Sequence, residues 1–267
     1  MKKTILFLFF FFLATAFASD ESVFVKAKKI GDYVVVEANN DNPFSITVAY
    51  DAQYENLQCD KKFPLLFVLP SHAHLEIMKL HINGNFKYKG HYDWTIGSAY
   101  AKHDNRYLYA LPFKRGTVRR VSQSYNGDFT HFGDSQYAVD FEMAQGSEVY
   151  AARDGVVIKI KEDSTKGGET KDFLNDANYI TIEHSDGTLA TYAHLKYHGV
   201  LVKVTDTVKQ GDLIGYSGKT GMARGPHLHF IVYKAVDGKT RESFPVKFMT
   251  VEGIVDEPIQ GHWYSAQ

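Results

Sequence analysis

Two histidines one residue apart, His227 and His229 in the stretch "GPHLHF", are the sharpest chemical signal in the chain. Side chains at i and i+2 of a strand point to the same side, so the pair can serve one small site. Three readings are open from the pair alone: two zinc ligands, one ligand beside a catalytic partner, or two polar residues on a sheet face. The chain carries its own control. "PSHAHLEI" holds a second pair, His72 and His74, with no Asp or further His at a ligand spacing in a Gly-rich frame, and it reads as incidental surface histidine. The pair at 227 and 229 has company: His131 and Asp140 in "YNGDFTHFGDSQYAVDF", and His194 in "TYAHL". Zinc takes imidazole nitrogen and carboxylate oxygen in a tetrahedral shell, and a hydrolytic site keeps one position for water. Two histidines and one aspartate meet that count. Taken singly, Asp140 also fits a turn and His131 a loop surface.

The elements that must position these residues read as β structure. "SEVYAARDGVVIKI" is strand, turn, strand, and "NYITIEHSDGTLATYAHL" is two strands joined at Asp186-Gly187, a strong hairpin signal. "VKQGDLIGYSGKTGMARGPHLHFIVY" places several glycines before the strand of the histidine pair, where the backbone must turn or approach closely. "TKGGETKDFLNDA" is a polar loop with room for one short helical turn, and this half offers no amphipathic helix of ordinary length. From Val23 to about Leu111, alternating runs such as "YVVVEANN", "FSITVAYD" and "PLLFVLP" are broken at "NNDNP" and "HINGN". That pattern predicts a small antiparallel β-sandwich. The expected fold class is mainly β: a β-sandwich-like accessory domain over 19–111, then an antiparallel β-sheet domain over 112–267.

The first 18 residues have the charge, apolar run and A-x-A end of a secretory signal peptide, with cleavage expected after Ala18. The run from Ile5 to Leu13 is short of the roughly 20 residues of a membrane span, so no integral span is expected after signal removal. The expected location is outside the cytoplasm, periplasmic or secreted. Cys59 is the only cysteine, which excludes an internal disulfide and a Cys-rich metal cage. With Lys2 and Lys3 removed the chain has 28 basic and 31 acidic residues, a balance without the electrostatic footprint of a nucleic-acid partner. The high aromatic content, 17 Tyr and 19 Phe, suits β structure and mostly reflects packing.

Four stretches, "HFGDSQYAVDFEMAQGSEVYAARDGVV", "NYITIEHSDGTLATYAHL", "VKQGDLIGYSGKTG" and "GPHLHF", occur in order from roughly Ser122 to Tyr233. Together they resemble the lysostaphin/LytM-type zinc metalloendopeptidases, metallopeptidase family 23. The resemblance implies a LytM-like peptidase domain, one Zn2+ per chain and peptidoglycan peptides as substrate. It implies that Asp140 and His229 are metal ligands and that His227 and His194 act in catalysis. The commonest family spacing, His-x-x-x-Asp, would put the first ligand at Gln136, a poor zinc ligand because its amide oxygen is neutral. His131 is the nearest upstream imidazole, so the first ligand is assigned to His131, with the extra residues as a loop.

A site of two neutral imidazoles and one carboxylate leaves zinc a net positive charge, enough to bring a bound water's pKa from about 15.7 toward about 7. The sequence has no HExxH, so histidines must do the proton transfers. "SGKTG" at 217–221 mimics the end of a phosphate loop, but the earlier glycine of that motif would fall at Leu213, and the stretch reads as a glycine turn. His103, His184, His198 and His262 fall outside the matched positions, while Tyr125 and Asn178 are candidates for groove contacts or for packing. The expected function is an exported zinc endopeptidase acting on peptidoglycan. The alternative is a non-enzymatic LytM-like module that binds or activates another wall hydrolase. Oligomeric state, the bond cut and the role of the first domain are not legible.

Overall fold

The computed structural model describes residues 22–267, and the expected signal peptide lies outside them. The described chain is mainly β, with two short 3-10 turns at Gly133–Ser135 and Lys171–Asp176. The second turn sits in the segment read as a polar loop with one helical turn. No helix among the described residues is long and apolar enough to cross a membrane.

The N-terminal region is a five-stranded antiparallel sheet of β1 (Val23–Ile30), β2 (Tyr33–Asn40), β3 (Ile46–Gln58), β4 (Leu65–Leu69) and β5 (Ala73–Ile96), in the order β1-β2-β5-β3-β4. It is one continuous ladder, yet it encloses a core between its own halves, because β5 bends. The first part of β5 pairs with β2 and its later part with β3. Tyr92 Oη donates to Val23 O at 3.2 Å, although Tyr92 lies nineteen residues beyond Ala73, the residue level with β1's start. A straight strand would separate them by about 60 Å. The bend coincides with "HINGN", expected as a chain-reversing turn: the strand runs through it with Gly84 at φ +89° and a register shift against β3. A bulge spends the glycine on curvature where a hairpin would spend it on reversal. Val34, Val36, Met78 and Leu80 from one half meet Tyr50 and Leu57 from the other.

The C-terminal region is built on an 11-stranded sheet. Its centre is the strand His227–Ala235, flanked by Leu189–Val200 on one side and Val139–Glu142 on the other. Asn178–Glu183 pairs with Leu189–Val200 across the Asp186-Gly187 turn, Gly187 holding φ +80°. The strands Glu148–Tyr150 and Gly155–Lys161 form where expected but pair with other partners: the first with Leu213–Ser217, the second with Asn178–Glu183.

Alternation along these strands separates two faces. Leu228, Phe230 and Val232, with Ala190, Tyr192, Val139 and Phe141, point into the main core beside Phe113, Val149 and Phe248. The opposite face carries His227, His229, Ile231 and Tyr233 along one strand and Leu189, Thr191 and Ala193 along its neighbour. Ile231, Tyr233, Leu189 and Ala138 pack against Ile46, Val48, Phe44 and Leu69 of the N-terminal region. One end of this face is therefore covered by the N-terminal region, and the rest is left to the site.

Candidate metal centre

Register places the first two groups. His229 lies directly opposite Asp140, and His227 opposite Glu142, so the carboxylate and both imidazoles share one face of adjacent strands. His194 arrives by a different device. Its strand pairs Tyr179 with Ala193 but Asn178 with Leu195, so His194 is the extra residue of a β-bulge, with φ +64°. In a regular strand His194 would point away from Ala193's face; the bulge turns it into the groove.

His131 comes from the loop between Gln123 and Val139, and it is wholly buried. Its Nδ1 donates to Ser124 O at 2.8 Å. The loop is bolted through Gln123, a buried side chain that sequence reasoning missed. Gln123 Oε1 accepts from the Phe129 and Thr130 amides at 3.1 and 3.3 Å. Its Nε2 donates to Asp140 Oδ2 at 3.1 Å and to Thr130 Oγ1 at 2.7 Å. Gly127 permits this approach, since a Cβ there would lie 2.5 Å from Gln123 Cγ. In the sequence Gln123 is only a polar residue at the end of the strand Val118–Gln123, which is too common a pattern to find it.

The cluster is tight. Ligand atoms of His131, Asp140 and His229 lie within 4.8 Å of one another. His229 Nδ1 is 2.9 Å and His131 Nε2 3.2 Å from Asp140 Oδ1, with His227 Nε2 at 3.8 Å. A carbonyl can only accept, so the bond to Ser124 O fixes the proton of neutral His131 on Nδ1. Its buried Nε2 then has no hydrogen-bond partner and faces a carboxylate oxygen, lone pair to lone pair. A cation between them removes that conflict. Ligand bonds of 2.0–2.1 Å in a tetrahedron give ligand–ligand edges of about 3.3 Å, close to the spacings here. The donor set therefore fits a divalent metal such as zinc.

Electrostatics favour the ligand forms. Burial would raise the Asp140 carboxyl, but the imidazoles of His131, His229 and His227 packed around it hold it well below the usual range. Burial lowers His229 against the pull of Asp140. Burial, with the charges of His227 and His229, pushes His194 down to about 3 despite its bond to Thr220 O. Neutral imidazoles can coordinate metal or accept protons. His194 Nδ1 donates to Thr220 O at 2.7 Å and His227 Nδ1 to Gly225 O at 2.9 Å, so each keeps Nε2 for the groove. Their ring centroids are 4.5 Å apart. The "SGKTG" turn thus has a structural task. Thr220 anchors Leu195 O and Asn178 N as well as His194, and Gly218 passes so close to Lys196 that a Cβ would lie 2.5 Å from its amide nitrogen.

The structure brings together His131, Asp140, His194, His227 and His229. Gln136 points elsewhere, its amide donating to Asn126 Oδ1 at 2.8 Å. Tyr125 is packed in the core with its hydroxyl on the Val246 backbone, and Asn178 is wholly buried on the Ser164 backbone, so neither is a groove contact. His72 lies in the turn before β5 and His74 on the N-terminal sheet, beside Glu37 at 3.6 Å. Around the cluster runs a groove of about 1420 Å³, walled in part by Phe129, Phe132, Leu174 and Trp263.

Residues 134–242 match the family described as Peptidase family M23. This stretch is an M23 peptidase domain. The match begins three residues after His131, so His131 itself lies outside it. Among curated relatives, an uncharacterized metalloprotease of Buchnera aphidicola is 36% identical over 118 residues, 43% of this chain and 28% of that protein. Peptidoglycan DD-endopeptidase ShyC of Vibrio cholerae is 36% identical over 116 residues, 42% of this chain and 24% of the other. Lysostaphin of Staphylococcus simulans is 37% identical over 99 residues, 37% and 18% of the two chains. The chain thus spans about a quarter of the length of these relatives. The solved catalytic domain of lysostaphin from Staphylococcus simulans aligns at 28% identity and a TM-score of 0.34, covering 48% of this chain and 87% of that one. The M23 domain here accordingly holds Asp140, His194, His227 and His229 within its matched span.

Proposed function

We propose that the chain is an exported zinc endopeptidase that hydrolyses peptide bonds in peptidoglycan. His131, Asp140 and His229 hold one zinc, and His194 and His227 act on the substrate. The observation that carries this reading is the triad itself, above all buried His131 Nε2, unpartnered and 3.2 Å from the carboxylate. The wall-peptide substrate follows the names of the relatives, and the exported location follows the signal-like residues 1–18. The domain division is supported by the sheets: the N-terminal sheet ends at Ile96, whereas Leu108–Ala110 already pairs with Lys247–Met249. We place the join within 97–107, slightly before the boundary at 111/112 drawn from sequence texture.

When bound, zinc supplies a Lewis acid that polarises the peptide carbonyl and makes water acidic enough to attack at neutral pH. The protein supplies the rest. Asp140 and the two ligand imidazoles are already oriented by Gln123, Ser124 and the strand register, so little reorganisation attends binding. His194 and His227 each offer an Nε2 with its proton-bearing Nδ1 tied to a carbonyl. One takes the proton of the attacking water; the resulting imidazolium stabilises the oxyanion and protonates the departing amine.

The test is zinc stoichiometry together with digestion of purified cross-linked peptidoglycan. The expected result is about one zinc per chain and release of peptide fragments. Zinc binding without cleavage of any wall peptide would overturn the enzymatic reading in favour of a module that recruits another hydrolase.

A further inference from the structure

The groove around the metal cluster is positively charged, in a chain whose formal net charge is −1. Arg119, Lys171, Arg224 and Arg241 line it, and none makes an ion pair among the described residues. Of the acids in the lining, Glu142 is paired with Arg120 at 2.6 Å and Asp140 is committed to the histidines, which leaves Asp128 alone. Unpaired arginines are common on surfaces, but Arg224 and Arg241 stack closely on aromatic faces. The Arg224 guanidinium lies 3.9 Å from the centroid of Phe129, and Arg241 lies 4.9 Å from that of Tyr233. Such stacking orients the guanidinium plane and leaves its N–H edge open for a carboxylate.

Their positions bracket the centre. Phe129 is two residues before His131, and Arg224 is three before His227, so this clamp ties the His131 loop to the turn that starts the histidine strand. Tyr233 lies four residues beyond His229 on the same strand face, next to the N-terminal sheet that closes that end. Asp134 accepts from the Arg241 backbone amide at 3.3 Å and makes no ion pair with its guanidinium. A neutral substrate would leave both clamps unused. A polyanion such as nucleic acid finds too little positive surface beyond the groove.

We propose that Arg224 and Arg241 select peptides bearing free carboxylates on either side of the scissile bond, against neutral peptides such as oligoglycine. This rests on the proposed endopeptidase reading and narrows its substrate. Each carboxylate gains a charge-assisted, bidentate bond at an exposed site, a preference of roughly three- to fivefold per clamp.

The experiment compares two fluorescent peptides of one sequence, one with free side-chain and terminal carboxylates and one amidated. Equilibrium binding to the zinc-loaded His194→Ala protein is read by anisotropy at low salt, and hydrolysis by the wild type is followed in parallel. The expected result is at least tenfold tighter binding of the carboxylate peptide. That preference should fall toward one in Arg224→Gln/Arg241→Gln and survive in part in Arg224→Lys/Arg241→Lys. Equal affinity for the two peptides, or an undiminished preference in the double Gln variant, would overturn the proposal. A preserved preference with no hydrolysis of either peptide would support the carboxylate site while removing the endopeptidase reading.

Discussion

Gln123→Leu is the substitution that best tests whether the loop of His131 and the carboxylate of Asp140 act as one prepared site. Leucine keeps the volume and removes every polar contact. Asp140 Oδ2 loses a donor at 3.1 Å, Thr130 Oγ1 loses one at 2.7 Å, and the Phe129 and Thr130 amides lose their shared acceptor. The bond to an ionised carboxylate is worth about 1.5–3 kcal/mol, and each amide left partly buried costs on the order of 1 kcal/mol. Together these give a destabilisation of roughly 3–5 kcal/mol, or about 6–20 °C in Tm for a chain of this size. Structural bracing alone would predict that much. The distinguishing quantity is zinc affinity, measured by competition with a chromogenic chelator at a temperature where the variant is folded by circular dichroism. Loss of a partner behind a ligand typically costs 10–100-fold in metal affinity, so a fall in that range is expected. Thr130→Val, which removes only the hydroxyl contact, should change affinity by less than about threefold. Full zinc affinity in a folded but less stable Gln123→Leu would refute the argument, leaving Gln123 as a loop brace only.

Other outcomes follow from the same geometry. His131→Ala and His229→Ala should lose zinc, Gln136→Ala should retain it, and His194→Ala should retain zinc but lose most turnover; zinc content by atomic absorption and peptide release decide each case. Burial pushes His184 down to about 4, against 6.5 for a free imidazole. Its folded pKa is depressed, so its contribution to stability is present above pH 6.5 and lost as pH falls toward 4, by on the order of 3 kcal/mol. Thermal melts should show that loss in the wild type and a flatter profile in His184→Asn. Gly218→Ala must push the turn away from Lys196 and move the Thr220 carbonyl off His194, cutting turnover by at least about tenfold while zinc content is kept.

What was legible in the sequence follows period and turn chemistry. Alternation placed the strands, Asp186-Gly187 placed the hairpin, and the i, i+2 rule placed His227 and His229 on one face. Failures cluster where the ladder is irregular. "HINGN" has turn composition, and a glycine at positive φ serves a strand bend as well as a reversal, so composition could not choose between them. His194 sits on the groove face only because a bulge shifts its strand by one residue, which a strict period of two would have denied. Gln123 and the arginine clamps at Phe129 and Tyr233 depend on contacts between distant segments and have no local signature.

The relation of the two regions is the largest feature that periodicity leaves out. Ile231 and Tyr233 continue the face of His227 and His229, and a lone M23 sheet would expose them to water. Instead they are 7% and 5% exposed, packed with Ile46, Val48 and Leu69. The apolar area buried there ties the regions together by a hydrophobic contact rather than a flexible linker. No described residue of the N-terminal sheet lines the groove, but the sheet packs against Tyr233 and Ile231, which do. Substitutions in that contact, such as Ile46→Ala, remove packing beneath Tyr233 and so reach the Arg241 clamp without touching any metal-binding residue. A change in peptide preference with unchanged zinc content is the signature of such supporting packing, whereas a simple targeting domain would leave cleavage of short soluble peptides as it was.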